Sequence, residues 1–215
     1  MGWSTFSIGG ELTVGRIGFG AMHLPTASDS RAAAVAVARR AVELGVTLID
    51  TAFLYGGGAN EELLVEALHP YPDGLLVTTK IGVTPPSPGR DWAFDGRPES
   101  LRSQVDQALR RLRMERLDLL QLHRIDPAVP LADQLGALRE QQIAGKIGHL
   151  GLSEVTVAEL AAARQIIEVA SVQNRYNLRD REYEDVLDAC TEAGIAFLPW
   201  RPVHPSVAAA GVASG

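Results

Sequence analysis

Four polar side chains stand where apolar segments of the sequence end, and their types suit proton transfer. The segments VTLID, LLVTTK and LDLLQLH end on three of them, and a tyrosine follows the first segment: Asp50, Tyr55, Lys80 and His123. A phenol has a pKa near ~10, and a neighbouring cation lowers that pKa by roughly one to three units. Lys80 can be that cation, and Asp50 can be the anion that keeps a buried lysine charged. The set therefore predicts a lysine-assisted phenol, Tyr55, that acts as a general acid.

The histidine suggests what receives the proton. His123 could hydrogen-bond a substrate oxygen, so that Tyr55 protonates an oxygen that gains charge as a carbonyl becomes an alcohol. Because no side chain supplies the hydride that such a step needs, the hypothesis implies a nicotinamide cofactor. Other interpretations stay open at this point. Asp50 could cap or salt-bridge a strand end, Lys80 could be a solvated strand terminus, and HRID could be a structural hydrogen-bond cluster.

The elements that carry these residues must lie side by side for the residues to meet. Short apolar runs alternate with stretches of helical period, giving seven strand-like units with a helix between each consecutive pair. That alternation predicts a parallel sheet. An open dinucleotide-binding sheet would carry G-x-G-x-x-G after its first strand, but GFGAMHL has only the first two glycines. We therefore predict an α/β fold of the (β/α)8 TIM-barrel type, incomplete with seven βα units visible, in which residues 1–215 form one domain after an N-terminal β-hairpin turning at Gly9 and Gly10.

Polar or aromatic residues end six of the predicted strands: Asp50, Lys80, His123, Ser153, Gln173 and Trp200. The active sites of such barrels lie at the carboxyl ends of the strands. Because side chains alternate with a period of two, Leu48 shares a face with Asp50, and Gln121 shares one with His123. Each polar terminus can therefore point into the barrel above apolar layers, which predicts the candidate site at this end.

Composition limits the classes of partner. The chain of 215 residues is 46 % hydrophobic and has a formal net charge of −6, which indicates a soluble globular protein and argues against nucleic acid and an anionic membrane. Its one cysteine, Cys190, excludes an internal disulfide and favours the cytoplasm. His69 and His204 lack metal-ligand spacing, so we expect no metal. Neither a signal peptide at Met1–Gly10 nor a membrane span is indicated.

The ordered set of polar residues resembles the aldo-keto reductase family. IDTAFLY, VTTK and LLQLH match the family's pattern of Asp and Tyr on one segment, Lys at the next strand end and His after it. The resemblance runs from VGRIGFGAM to FLPW, and it implies a catalytic tetrad of Asp50, Tyr55, Lys80 and His123. It also implies NADP(H) as the cofactor, with NAD(H) as the alternative, and a small carbonyl compound as the substrate.

The resemblance further implies a set of cofactor contacts. GLS and SVQN look like the segments that bind the nicotinamide carboxamide in the family, which gives Ser153 and Gln173 that role. Trp200 falls where the family stacks an aromatic ring, more often tyrosine, on the nicotinamide. Gly20 and Met22, in VGRIGFGAM, complete the cofactor-binding set that the resemblance implies.

Two parts of the sequence depart from the family pattern. Glu154 stands where asparagine usually follows the serine. After Trp200, residues 201–215 indicate an irregular tail rather than an eighth strand, a further helix and a loop that grips the adenosine phosphate. An incomplete barrel has open edges, which a homo-oligomer could cover. In the long loop PPSPGRDWAFDGRPES, Trp92 and Phe94 could line the substrate pocket or serve ordinary loop packing.

Three functions are compatible with these observations. The first is NAD(P)H-dependent reduction of an aldehyde or ketone to an alcohol, with Tyr55 as the general acid. The second keeps the tetrad but uses no hydride, as a lyase, a dehydratase or a cyclase. The third is a catalytically inactive binding subunit, which the open edges of the barrel would suit.

Overall fold

One parallel sheet carries the candidate site. The computed structural model describes residues 4–86 and 88–203. Its strands are β1 (Thr5–Ile8), β2 (Leu12–Gly15), β3 (Phe19–Gly20), β4 (Leu48–Asp50), β5 (Leu76–Ile81), β6 (Val83–Thr84), β7 (Ala93–Phe94), β8 (Leu117–Leu122), β9 (Ile147–Ser153), β10 (Val169–Gln173) and β11 (Ala196–Phe197). Its helices are α1 (Arg31–Glu43), α2 (Ala59–Leu68), α3 (Pro98–Leu112), α4 (Leu131–Ile143), α5 (Val157–Ala163) and α6 (Glu184–Ala193), with a 3₁₀ turn at Tyr55–Gly58.

The predicted alternation of strands and helices is confirmed. Within the described ranges, seven parallel strands form a sheet in the order β11-β10-β9-β8-β5-β4-β3, and one helix lies in the crossover between each successive pair along the chain. This is the topology of an incomplete (β/α)8 barrel. In this part of the chain the edge strands β3 and β11 do not pair with each other. An apolar cleft of about 390 Å³ lies near this open side, lined in part by Leu48, Leu187, Cys190 and Phe197.

The strands bury their two faces in separate apolar clusters, as the period of two predicts. Leu48, Leu76 and Leu119 pack with the N-terminal hairpin in the inner cluster. Ile49 and Leu120, each one residue further along its strand, belong to the larger cluster between the sheet and the helices. The inner apolar residues thus form a floor, and the polar residues at the strand ends lie above it.

The hairpin β1–β2 closes the amino-terminal end of the sheet. Its strands pair antiparallel, and the predicted turn residues Gly9 and Gly10 have φ of 60° and 77°. Glycine adopts these left-handed values at little steric cost, and together with Glu11 the two glycines form the turn that joins Ile8 to Leu12. Ile8 and Val14 insert from the hairpin into the inner cluster. The hairpin therefore leaves the opposite, carboxyl end of the strands for the site.

Alanine at Gly9 should destabilise the fold more than alanine at Gly10. Both positions have positive φ, so each substitution carries a backbone cost of about 1–2 kcal/mol. At Gly9 the new Cβ would also lie 2.5 Å from Nδ1 of His149, whereas at Gly10 it would meet nothing within 4 Å. We expect G9A to lose at least about 1 kcal/mol more unfolding free energy than G10A, because the histidine must shift. Urea unfolding of the two variants measures this difference, and equal losses would contradict it.

The segment after β5 differs from the prediction. The sequence indicates a long loop there, but the chain forms a short hairpin in which Val83 pairs with Phe94 and Thr84 with Ala93. Gly82 enters this hairpin with φ of 96°, and its amide donates to Oε1 of Gln104 at 2.9 Å. Two-residue strands carry too little periodicity to be recognised in a sequence, which explains the difference.

The irregular tail predicted for residues 201–215 stays a prediction. Residues 201–203 belong to no helix or strand, and the rest of the predicted irregular tail, residues 204–215, lies outside the described residues. Among the residues that the structure describes, no helix has the length and apolar character needed to cross a membrane.

Candidate active site

Lys80 occupies the centre of the candidate site. It is the last residue of β5 on the inward face of the sheet and is 0 % exposed. Three acceptors surround its ammonium group. Nζ donates to Oδ2 of Asp50 at 2.6 Å, to the carbonyl of Thr51 at 2.9 Å and to Oη of Tyr55 at 3.4 Å. Because an ammonium has three N–H groups, this set uses all of them. The structure therefore brings together the aspartate, tyrosine and lysine predicted from the sequence.

The backbone after β4 holds Tyr55 over the lysine. The amide of Phe53 donates to the carbonyl of Lys80 at 3.1 Å, and the amide of Tyr55 donates to Ala52 at 3.1 Å. Gly56, at φ of 68°, then turns the chain toward α2 in a left-handed conformation that suits glycine. The phenol is thus fixed by main-chain contacts to the strand that carries Lys80.

A buried pair of side chains braces the same turn. Oγ1 of Thr51 donates to Oδ1 of Asn60 at 2.6 Å, and Nδ2 of Asn60 donates to the carbonyl of Ala21 at 2.8 Å. These bonds connect the ends of β3 and β4 to the start of α2. They restrict the position of the tyrosine turn relative to the strand ends.

Both carboxylate oxygens of Asp50 are engaged. Oδ2 accepts from Lys80, while Oδ1 accepts from Nε2 of Gln173 at 3.0 Å and from Nε2 of Gln121 at 3.4 Å. Hydrogen bonds and a cation stabilise an ionised carboxylate. Asp50 therefore holds Lys80 in place through the salt bridge at a strand end that was considered from the sequence, and its catalytic role stays a prediction.

His123 lies beside the phenol and is held neutral. Its amide donates to Ile81 at 2.7 Å, and its ring meets the Tyr55 ring edge-on with centroids 6.2 Å apart. Burial lowers the pKa of His123 to about 2, and the charges of Lys80 and Arg124 contribute in the same direction. A neutral imidazole keeps one N–H donor, so His123 can bind a carbonyl oxygen without adding a positive charge.

The depressed pKa of His123 predicts an acid-sensitive contribution to stability. The unfolded chain takes up the proton near the ordinary pKa of about 6.5, whereas the folded chain takes it up only near pH 2, because its pKa is lowered to about 2. Stability is therefore lost as the pH falls from about 6.5 toward 2, by up to about 1.4 kcal/mol per pH unit. In H123N this contribution is absent, so denaturant unfolding at pH 6 and pH 5 should show a smaller loss for the variant. Equal losses would contradict the prediction.

The pKa of Tyr55 is shifted in the direction opposite to the one predicted from the sequence. Burial raises the pKa of the phenol, the Lys80 charge and hydrogen bond lower it, and the Asp50 charge raises it again. The net pKa lies above the ordinary value of 10.0, because burial is the largest of these effects. The expectation that the lysine would bring the pKa below that value is therefore wrong. Tyr55 keeps its proton at neutral pH, which a proton donor requires.

The residues predicted for cofactor binding lie around the rim of the same strand ends. Ser153 is 2 % exposed, pairs in register with Gln173, and its hydroxyl accepts from Nη1 of Arg124 at 3.2 Å. The side-chain Nε2 of Gln173 donates to Oδ1 of Asp50. Gly20 pairs with Asp50. Gly20 also has open space beside it, since an added Cβ would meet nothing within 4 Å.

Met22 and Trp200 complete the rim. Met22 is 36 % exposed. The main chain of Trp200 bonds to that of Asn174 and Tyr176, and its indole Nε1 donates to Oε1 of Glu154 at 2.5 Å. The rim therefore offers a hydroxyl, a carboxamide, an indole ring and an uncrowded strand end. This donor set fits a nicotinamide carboxamide and its ring.

The predicted substrate-pocket residues contact each other on the hairpin that follows β5. Trp92 and Phe94 belong to the β6–β7 hairpin, are 40 % and 44 % exposed, and contact each other edge-on with centroids 5.2 Å apart. Among the aromatic contacts of the described residues, none joins this pair to Tyr55 or His123. The pair supplies an exposed apolar surface on the loop that follows Lys80, and its role in binding substrate stays a prediction.

Two residues of the candidate active site, Gln121 and Arg124, were not predicted from the sequence. Gln121 is 0 % exposed, donates to Asp50, and its Oε1 has no partner in the described part of the chain. Its spacing of two residues from His123 is the signal that could have identified it. Arg124 lies against Ser153 and the carbonyl of His123. The signal for Arg124 was its place in the segment HRID, which the sequence analysis considered as a structural hydrogen-bond cluster. Within residues 4–86 and 88–203, no cluster of three or more metal-ligating side chains is present.

Known proteins match most of this chain in sequence. The sequence profile of the Aldo/keto reductase family matches residues 16–211. An uncharacterized oxidoreductase of Schizosaccharomyces pombe is 43 % identical over 199 residues, covering 90 % of this chain and 64 % of the relative. Pyridoxine 4-dehydrogenase of Escherichia coli is 36 % identical over 216 residues, covering 94 % of this chain and 74 % of the relative.

Solved structures show the same fold. Glycerol dehydrogenase of Gluconobacter oxydans has a TM-score of 0.85 at 29 % identity, covering 94 % of this chain and 64 % of its own. An aldo/keto reductase of Klebsiella pneumoniae, solved with NADP and acetate, has a TM-score of 0.79 at 24 % identity, covering 93 % and 68 %. The chain belongs to the aldo-keto reductase family. It spans 64 % of the length of the fission-yeast relative.

Proposed function

We propose that this chain carries out the NAD(P)H-dependent reduction of an aldehyde or ketone to an alcohol, with Tyr55 as the general acid. The observation that carries the proposal is the arrangement around Lys80. Its ammonium is held by Asp50 and by the carbonyl of Thr51, and its third contact is the oxygen of Tyr55. A cation fixed in this way stabilises the phenolate that remains after the phenol gives up its proton.

The direction of the hydrogen bonds supports a donating phenol. Because Lys80 donates to Oη of Tyr55, the phenol's own hydrogen is available for a substrate oxygen. His123, neutral through its lowered pKa, offers a second donor from the side of the ring. Two donors aimed at one oxygen stabilise the charge that develops on it during reduction. Both residues are proposed to act on the carbonyl oxygen.

NADP(H) is the proposed cofactor, and it would supply the hydride. Ser153 and Gln173 would hold its carboxamide, Trp200 would stack on its ring, and Gly20 and Met22 would border it. The relation to the Klebsiella pneumoniae protein, which was solved with NADP, and the resemblance of these segments to the family support this choice. NAD(H) stays the alternative.

A test of the function compares both cofactors with the same substrates. The purified chain is mixed with NADPH or NADH and a set of small aldehydes and ketones, and cofactor oxidation is followed by absorbance. We expect oxidation that needs both cofactor and carbonyl, faster with NADPH. Conversion of substrate without any nicotinamide would support the lyase, dehydratase or cyclase alternative. Inactivity of a folded chain toward all substrates would favour the binding subunit.

Cellular location and assembly also belong to the proposal. The single cysteine is buried, which suits a reducing cytoplasm. The open side of the barrel and its apolar cleft near Cys190 give a surface that a second copy could cover. Light scattering tests this idea. A dimer or larger assembly is expected, and a strictly monomeric chain would overturn the proposed homo-oligomer.

A further inference from the structure

Glu154 adopts a backbone conformation that a glutamate rarely takes. It follows the last residue of β9 and has φ of 55°, in the left-handed region where asparagine and glycine are enriched. Its amide donates to the carbonyl of Gln173 at 3.0 Å, so the turn is part of the sheet's carboxyl edge. A residue persists in such a conformation when its surroundings hold it there, and such positions concentrate at functional sites.

Two donors hold the side chain of Glu154. Its Oε1 accepts from the indole Nε1 of Trp200 at 2.5 Å and from the main-chain amide of Arg175 at 2.7 Å. The guanidinium of Arg175 is directed elsewhere, to Asp180 and Glu182. The carboxylate of Glu154 therefore does not form a salt bridge with the guanidinium of Arg175. It connects a main-chain amide next to β10 with the indole that follows β11.

This contact determines how the indole lies. The main chain of Trp200 is fixed by its amide, which donates to Asn174 at 3.1 Å. An indole has a single polar hydrogen, and Glu154 accepts it, so the plane of the ring is fixed as well as its attachment point. The guanidinium of Arg201 lies over the same ring, 5.4 Å from its centroid. A flat ligand would therefore stack on the opposite face.

We propose that Glu154 is a positioning residue that sets the orientation of the Trp200 indole for stacking on the nicotinamide. The inference rests on the proposed function, since it concerns the ring that would contact the cofactor. It gives a role to the departure from the family pattern at position 154. A chain with tryptophan in place of the usual tyrosine has an indole N–H to satisfy, and the longer glutamate reaches it.

The first measurement concerns the chain without cofactor. In a background with Trp3 and Trp92 replaced by phenylalanine, the indole N–H of Trp200 gives one proton NMR signal. In the parent, it should be shifted downfield and protected from solvent exchange. E154A should lose the shift and exchange at least about tenfold faster, as expected for loss of a charge-assisted hydrogen bond. E154Q, which keeps an acceptor oxygen, should retain most of the protection. An unchanged signal in E154A would overturn the proposal.

The second measurement concerns cofactor binding. Titration with NADPH, followed by its own fluorescence, should give a Kd about tenfold higher for E154A than for the parent, which corresponds to one hydrogen bond lost. E154Q should stay within about threefold of the parent by the same scale. W200F, whose ring has no N–H, should make E154A ineffective, so that the double variant binds no more weakly than W200F alone. This cycle separates action through the indole from a general structural effect.

The outcomes distinguish the inference from the function on which it rests. If the parent binds NADPH and E154A binds it equally well, the inference is wrong and the proposed function stands. If the parent does not bind any nicotinamide cofactor, the proposed function fails, and the role assigned to Glu154 fails with it. If E154A does not fold, W200F and E154Q decide the matter, since W200F must weaken binding and E154Q must preserve it.

Discussion

Replacing Tyr55 with phenylalanine should remove nearly all carbonyl reduction by this chain. The substitution deletes only the hydroxyl that we propose donates the proton, and loss of a general acid lowers a rate by about 10²–10⁴-fold. The hydroxyl's one hydrogen bond within the described residues is the 3.4 Å bond from Lys80, so the fold should keep its stability to within about 1 kcal/mol. Steady-state NADPH oxidation with the best aldehyde substrate, beside thermal unfolding, measures both effects.

Tyr71 provides a matched control for this variant. Its hydroxyl donates to the carbonyl of Leu112 at 2.9 Å, between the end of α3 and the segment before β5, away from the tetrad. Y71F should therefore reduce stability by about 1 kcal/mol and leave the rate close to that of the parent. Equal rates for Y55F and Y71F would contradict the role of Tyr55 as the general acid.

Replacing Lys80 with methionine should abolish activity and also weaken the fold. Lys80 is fully buried and its salt bridge with Asp50 spans 2.6 Å, while the aspartate side chain is 19 % exposed. Removing one partner of a buried pair costs about 3–5 kcal/mol. Because Asp50 keeps some contact with solvent, we expect a loss near the lower end, about 3 kcal/mol. Denaturant unfolding measures this loss, and NADPH oxidation should fall to background.

The double variant K80M/D50N separates the two effects. Removing the uncompensated carboxylate should restore at least half of the lost unfolding free energy, since the amide that replaces it carries no charge, while activity stays at background. R102M serves as the control, because Arg102 pairs with Glu140 on the surface, with side chains 41 % and 61 % exposed. Such exposed pairs contribute about 0–1 kcal/mol. A K80M variant no less stable than R102M would show that the pair is not the anchor we infer.

The tetrad could be predicted because its signals are local. A polar residue at the end of an apolar run, with alternation on either side, gives both the strand end and the face. This is why Asp50, Lys80 and His123 were predicted at one edge of the sheet. The alternation of strands with helices then indicates parallel order. Nothing beyond neighbouring residues is needed for this inference.

Other features depend on contacts between distant segments. The pKa of Tyr55 is raised because burial exceeds the effect of Lys80, and the extent of burial follows only from packing. The contact of Glu154 with Trp200 joins residues 46 positions apart. The type of one residue does not indicate that the other is its partner. The positive φ of Glu154 is likewise set by its surroundings, because local preference favours other residues there.

The most direct test of the central claim follows the hydrogen itself. NADPH carrying deuterium on the transferable position of the nicotinamide is bound to the parent and to Y55F, with equal binding confirmed by fluorescence, and one aldehyde is added for a single turnover. We expect deuterium on the former carbonyl carbon of the alcohol with the parent, and transfer slowed by about 10²–10⁴-fold in Y55F. Equal transfer by both proteins, or product formed by the parent without deuterium, would contradict it.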